Sequence, residues 1–252
     1  MREQTVVVVP DAEALAEAAA RRFVAIAREQ IAQRERFTVA LSGGSTPRAL
    51  YRLLAEPPQA DAIDWSRVHV FWGDERCVPP DHEQSNYRMA RETLLDHVPI
   101  PHDQIHRIEA EREPSDAAAH YAATLTRVFG LGVGEMPDFG LILLGIGADG
   151  HTASLFPGTR ALTVRGVPVV ENVVPQLDTM RITLTVPVIT EAANIMVLAA
   201  GEDKAPAVHR ALEAPYAPEQ TPAQFIRTAS GTVIWLLDEA AASQLTGRGP
   251  AG

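Results

Sequence analysis

The stretch Gly145-Ile146-Gly147-Ala148-Asp149-Gly150-His151 sets a carboxylate two residues before an imidazole, directly after the apolar run Phe139–Leu144. An imidazole with an ordinary pKa of about 6.5 takes up a proton near neutral pH and returns it, and a nearby carboxylate orients the ring and stabilises its protonated form. His151 is therefore a candidate general base. The plainer reading is a histidine that only caps the short turn Thr152–Phe156; that would be preferred for an isolated histidine, but the Asp-Gly-His setting at a strand tip favours catalysis. The same stretch spells G-x-G-x-x-G at 145, 147 and 150, with Glu171 about 20 residues on, as a dinucleotide fingerprint requires. Pro157-Gly158 leaves no room for the crossover helix, and Asp149 would set a negative charge against the pyrophosphate. The match is fortuitous.

Three more segments combine polar side chains with glycine after an apolar run. Leu41-Ser42-Gly43-Gly44-Ser45-Thr46-Pro47 can turn tightly and open a helix whose free N–H groups hold an anion, with Pro47 suited to the first turn. Ser42, Gly43, Gly44, Ser45 and Thr46 are therefore anion-binding candidates, and an ordinary capped turn, which uses the same residues, is the alternative. No Lys follows the glycines as in a Walker A loop. In Trp72-Gly73-Asp74-Glu75-Arg76, Arg76 could clamp a phosphate or carboxylate, its fork held by Asp74 or Glu75; the alternative is a surface ion pair worth at most ~1 kcal/mol. Neighbouring Cys77 reads as an incidental small residue rather than a reactive thiol. In Gly201-Glu202-Asp203-Lys204 a cation stands at a helix start, where the dipole disfavours it; either Glu202 and Asp203 neutralise Lys204 or a ligand anion does.

These segments need a scaffold that brings strand tips together. Apolar runs predict strands at Thr5–Val9, Phe37–Leu41, Val68–Trp72, Phe139–Leu144, Arg181–Val186, Asn194–Ala199 and Thr232–Leu237. Helical patterns fall at Ala12–Gln33, Pro47–Ala55, Ser85–Asp96, Ser115–Phe129, Lys204–Glu213 and Glu239–Leu245, with Asp11 and Ser115 as expected N-caps. Several strands are continuously apolar, as in strands buried on both faces. The alternation predicts an α/β fold: a mostly parallel, Rossmann-like sheet flanked by helices on both faces in three layers, with ligands outside the carboxyl ends of the strands. One domain over residues 1–246 and a flexible tail at 247–252 are expected.

The chain has 252 residues, 46% hydrophobic and 21% charged, with a net charge of −10. That composition excludes wholesale disorder, and the charge argues against nucleic acid while leaving a phosphorylated metabolite open. No apolar run approaches the roughly 20 residues of a membrane span, the N-terminus does not read as a signal peptide, and one cysteine cannot form an internal disulfide. A cytoplasmic location without membrane attachment is expected. No metal-ligand spacing and no Gly-x-Ser-x-Gly occurs.

Taken in order, Leu-Ser-Gly-Gly-Ser-Thr-Pro (41–47), Trp-Gly-Asp-Glu-Arg-Cys-Val-Pro (72–79) with Ser85-Asn86-Tyr87, Gly-Ile-Gly-Ala-Asp-Gly-His-Thr-Ala-Ser-Leu-Phe-Pro (145–157) and Gly-Glu-Asp-Lys (201–204) resemble the 6-phosphogluconolactonases. The likeness spans roughly Arg36 to Glu239. Deaminases of the same fold also carry Asp-Gly-His, but typically continue Ile-Ala-Phe-Asn-Glu-Pro, and have Asp-Glu-Tyr in the second block. The resemblance implies the fold of the glucosamine-6-phosphate deaminases and an oxidative pentose phosphate enzyme that opens 6-phosphogluconolactone without metal or cofactor. It implies His151 as general base, Asp149 and Asp74 shaping the site, Arg76, Lys204 and the 43–46 loop on the phosphate, and Asn86 lining the cleft. Oxyanion donors are sought in the 145–150 backbone or Arg76, and Ser42 to Thr46 are expected to offer amides to the phosphate. The expected partner is a small phosphorylated sugar lactone, with the chain a monomer or weak homo-oligomer. The rivals are an amino-sugar phosphate deaminase or isomerase, and a sugar-phosphate sensor without catalysis.

Overall fold

The computed structural model describes residues 4–246; the expected tail at 247–252 lies outside the described residues. In chain order the strands are β1 (Thr5–Val9), β2 (Phe37–Leu41), β3 (Val68–Trp72), β4 (Asp74–Arg76), β5 (Leu141–Leu144), β6 (Val169–Val174), β7 (Thr179–Leu184), β8 (Asn194–Ala199) and β9 (Thr232–Asp238). The α-helices are α1 (Ala12–Arg34), α2 (Ser45–Leu54), α3 (Asn86–Ala90), α4 (Pro114–Phe129), α5 (Val186–Glu191) and α6 (Ala205–Leu212).

Six strands form a parallel sheet in the order β1-β9-β8-β5-β2-β3. β2 and β5 are buried at every residue, and β8 and β9 at all but their first, so both faces of the sheet are covered. On one side α1 packs against β2, β9 and α2. The chain steps outward from β2 to β3, then returns to the other side of β2 and continues through β5, β8 and β9. The carboxyl ends of β2 and β5 therefore flank the point where strand order reverses, and a crevice opens there.

A second sheet was not expected. β4, β7 and β6 form an antiparallel sheet in that order, with Asp74 opposite Thr183, Glu75 opposite Ile182 and Arg76 opposite Arg181. The run predicted at Arg181–Val186 is β7, and it pairs here rather than in the parallel sheet. The Leu184 N–H donates to the Gly73 carbonyl at 2.9 Å, and the Gly73 N–H to the Leu41 carbonyl at 2.9 Å. Two bonds thus tie the small sheet to the tips of β3 and β2.

Helix boundaries differ for local reasons. Asp11 caps α1 as expected, accepting from the Ala14 N–H at 2.9 Å. Ser115 does not cap α4: Glu113 does, accepting the Ser115 N–H at 2.9 Å, because Pro114 lacks the N–H that the first turn leaves unused and so starts the helix earlier. The predicted helix Ser85–Asp96 is split into α3 and a π-helical turn at Arg91–Leu95. Predicted Glu239–Leu245 is a run of turns instead of a helix, with Asp238 accepting the Ala241 N–H at 2.7 Å.

Candidate active site

The loop after β5 is held tightly. The Gly147 N–H donates to the His151 carbonyl and the Gly150 N–H to the Gly147 carbonyl, both at 2.9 Å, while Thr152 Oγ1 donates to the Gly145 carbonyl at 2.9 Å. Those amides are occupied, so Gly147 and Gly150 cannot be the expected oxyanion donors. No helix opens at Gly150, where the chain continues as turns and loop, which removes the dinucleotide reading on structural grounds. His151 Nδ1 lies 2.6 Å from Asp149 Oδ1, and the same oxygen accepts the His151 backbone N–H at 3.1 Å. A carboxylate accepts only, so Nδ1 carries a hydrogen, and in the neutral ring Nε2 holds the lone pair. The ring stacks on Phe156 with centroids 4.1 Å apart. Burial alone would raise the Asp149 carboxyl; the His151 N–H and the adjacent imidazole outweigh it and hold the group below its usual value.

His151 lines a cavity of about 360 Å³ at the crevice, the scale of a small-ligand site. Ser42, Gly43, Gly44, Ser45, Thr46, Asp74, Arg76, Asn86 and Lys204 line it too, so ten of the eleven predicted residues line one cavity. Asp149 is the exception; it contacts the ring and not the cavity.

Asp74 is 7% exposed and accepts the Ser154 hydroxyl on Oδ2 at 2.6 Å. Asn86 donates from Nδ2 to the Asp74 carbonyl at 2.9 Å. Its amide lies against Gly43, where an added Cβ would come 2.0 Å from Asn86 Oδ1. Ala153 reaches Ser154 through a left-handed φ of 48°, a cost tolerated where a loop must aim a side chain.

Gly44 (φ 105°), also on the cavity, precedes α2 and offers no side-chain cap, an arrangement that leaves first-turn N–H groups able to receive an anion. The Ser42 amide is not among them, contrary to expectation: its N–H donates to Tyr51 Oη at 2.9 Å, and that hydroxyl donates back to the Ser42 carbonyl at 2.8 Å. The Arg76 fork is not held by a carboxylate either. Its guanidinium donates to the Gln84 carbonyl, and Glu75 points to the opposite face of β4. Lys204 pairs with Asp203 at 2.9 Å, the expected neutralisation, and it also lines the cavity. Burial pushes the Cys77 thiol up to about 11, which agrees with an inert residue.

Arg181 also lines the cavity. It stands directly across the strand pair from Arg76, and the Nε of each is buried without a hydrogen-bond partner. Burial first, and then the charge of Arg76, push the Arg181 guanidinium below its usual value. Like charges opposed on neighbouring strands destabilise a sheet, and an anion between them reverses the sign. Among the described residues, no group of three or more His, Cys, Asp or Glu is arranged to hold a metal.

A sequence model of the glucosamine-6-phosphate isomerase/6-phosphogluconolactonase family matches residues 10–235. The chain belongs to this family. A 6-phosphogluconolactonase of Nostoc sp. is 42% identical over 246 residues, covering 97% of this chain and 99% of that protein. The structure of a 6-phosphogluconolactonase from Trypanosoma cruzi superposes with a TM-score of 0.87 at 31% identity, covering 97% of this chain and 98% of that one. A monomeric glucosamine-6-phosphate deaminase, 23% identical, shares the fold with a TM-score of 0.79, over 95% of this chain and 99% of its own. Within the family fold, Arg181 is the cavity cation that sequence reasoning passed over. Its signal was faint: a lone arginine at the edge of an alternating strand, with no glycine or motif beside it. Only the register with β4 brings it to Arg76.

Proposed function

We propose that the protein hydrolyses 6-phospho-D-glucono-1,5-lactone to 6-phosphogluconate, the ring-opening step of the oxidative pentose phosphate pathway. One observation carries this reading: an imidazole with Nδ1 tied to a carboxylate lines the same cavity as Arg76, Arg181, Lys204 and the open N-terminus of α2. The first group is suited to water activation and the others to a phosphate.

In this reading the phosphate sits on the α2 amides, Arg76 and Arg181, with Lys204 adding charge. The lactone carbonyl then lies beside His151. Nε2 takes a proton from water as the water oxygen bonds to C1, and Asp149 fixes the tautomer while offsetting the charge on the ring. The developing oxyanion draws on donors other than the Gly147 and Gly150 amides, which are engaged. Collapse breaks the bond from C1 to the ring oxygen, which takes the proton back from His151. The products are a hydroxyl at C5 and a carboxylic acid at C1, which releases its remaining proton to solvent to become the carboxylate of 6-phosphogluconate. Two residues support a lactone over an amino sugar: Ser154, whose hydroxyl engages Asp74, and Arg76, where the deaminase pattern has tyrosine.

The test is hydrolysis of freshly generated lactone at fixed pH, with spontaneous opening subtracted. The His151→Ala variant should lose about 10²–10⁴-fold in kcat and keep its KM, the pattern for removal of a general base. A variant with near-normal kcat would refute the assignment. Ammonia release from glucosamine 6-phosphate by the wild type would favour the deaminase instead.

A further inference from the structure

Glu75 is the most buried carboxylate among the described residues, 2% exposed, and it does not line the cavity. Alternation along β4 sends Asp74 and Arg76 to the cavity and Glu75 to the opposite face. There its two oxygens gather four donors. Oε1 accepts the N–H groups of Arg76 and Asn86, both at 2.8 Å. Oε2 accepts the Tyr87 N–H at 2.8 Å and the Ser85 hydroxyl at 3.2 Å.

Those donors come from both ends of one loop. Arg76 opens it, and Ser85, Asn86 and Tyr87 close it at the start of α3. The loop carries two residues of the cavity wall, Arg76 and Asn86, and the Arg76 guanidinium is itself tied to the Gln84 carbonyl within it. Ser85 passes the constraint on by accepting the Arg88 N–H at 3.1 Å as the cap of α3. A loop of this length left open would let the guanidinium sample many positions, and ordering it on binding would weaken the ligand.

We propose that Glu75 is a positioning residue for the phosphate site: it closes the 76–87 loop and so sets Arg76 and Asn86 at the cavity without touching the substrate. This rests on the reading of the cavity as a phosphate site, and it deepens that reading. Glu75→Gln keeps the size and shape of the side chain but turns an NH₂ group toward a ring of donors, leaving at least one buried N–H without an acceptor.

The experiment measures kinetics with the lactone and, separately, calorimetric binding of 6-phosphogluconate, which needs no turnover. For Glu75→Gln, KM and the product Kd should both rise about tenfold or more while kcat at saturation stays within about threefold, the signature of lost uniform binding. Ser85→Ala, which removes only the hydroxyl, should shift both constants the same way by about two- to fivefold, and it serves if Glu75→Gln fails to fold. Leu15→Ala, a core truncation in α1, supplies the control: it lowers Tm and leaves the Kd of the folded protein unchanged. Wild-type Kd in Glu75→Gln, or in Ser85→Ala where that is the variant that folds, overturns the proposal. A wild type that binds 6-phosphogluconate but does not hydrolyse the lactone sinks the proposed reaction and leaves the role of Glu75 standing.

Discussion

At the scale of single residues, Gly147 and His151 act as one unit. A Cβ on Gly147 would lie 2.1 Å from His151 Nδ1 and 2.7 Å from Asp149 Oδ1, both inside contact distance. Gly147→Ala must therefore break the ring from its carboxylate or shift the loop. We expect kcat to fall about 10²-fold or more while 6-phosphogluconate affinity is retained, because misplacing a reacting group by ~1 Å costs on that order. Asp149→Asn asks a narrower question, since it keeps the shape and loses the charge that fixes the tautomer. A kcat close to wild type in Asp149→Asn would mean that the carboxylate only holds the loop. The arginine pair is probed by Arg76→Ala and Arg181→Ala. Each should raise KM for the phosphorylated lactone by about tenfold or more and change turnover of unphosphorylated gluconolactone little, as removal of a charge-assisted contact to the phosphate predicts. Equal effects on the two substrates would place the phosphate elsewhere.

At the scale of elements, α2 and β2 meet through one hydroxyl. Tyr51 is fully buried and is donor and acceptor to the same residue, Ser42, at the tip of β2. Tyr51→Phe would strand a buried N–H and carbonyl, which costs about 1–3 kcal/mol in stability, and would loosen the glycine loop that feeds the anion cradle. Chemical denaturation should show the loss, and phosphate binding should weaken alongside it. This element pair also shows what the sequence could convey. The apolar runs of β2, β3, β5, β8 and β9 announced themselves by burial on both faces, and the glycine-rich tips marked the cavity. β4 did not: three charged residues, Asp-Glu-Arg, lack any apolar alternation, and they form a strand only because β7 offers a partner. With β4 hidden, the opposition of Arg76 and Arg181 and the inward turn of Glu75 were hidden too. The first is a product of register, which joins residues about a hundred positions apart in the chain, and the second of alternation along β4.

At the scale of the whole molecule, four of the eight histidines are His69, His102, His106 and His120, all far from His151 in sequence. His69 and His106 stack beside the edge strand β3, with Nδ1 of the former 3.2 Å from Nε2 of the latter, and His106 also stacks on Phe71. Burial first, then the charge of Arg36, lowers the His69 pKa; burial, then His69 and Arg127, lowers that of His106 to about 4, with Asp103 working the other way on both. In the unfolded chain each titrates near 6.5. Between pH 6.5 and about 4 the unfolded state therefore binds more protons than the folded one, and folding stability falls as pH falls through that window. Above pH 6.5 the pair contributes nothing to the slope. Because both rings are partly exposed, solvent screening limits the loss to on the order of 1–2 kcal/mol. The comparison to make is urea unfolding of the wild type and His106→Phe at pH 7.5, 6.5, 5.5 and 4.5, conditions chosen to bracket the window. Phenylalanine keeps the stack on Phe71 and removes the His106 share of the titration, so the variant should lose less stability between pH 6.5 and 4.5 than the wild type, whatever its offset at pH 7.5. Parallel curves would mean that the paired rings take up protons in the folded protein as readily as in the unfolded chain.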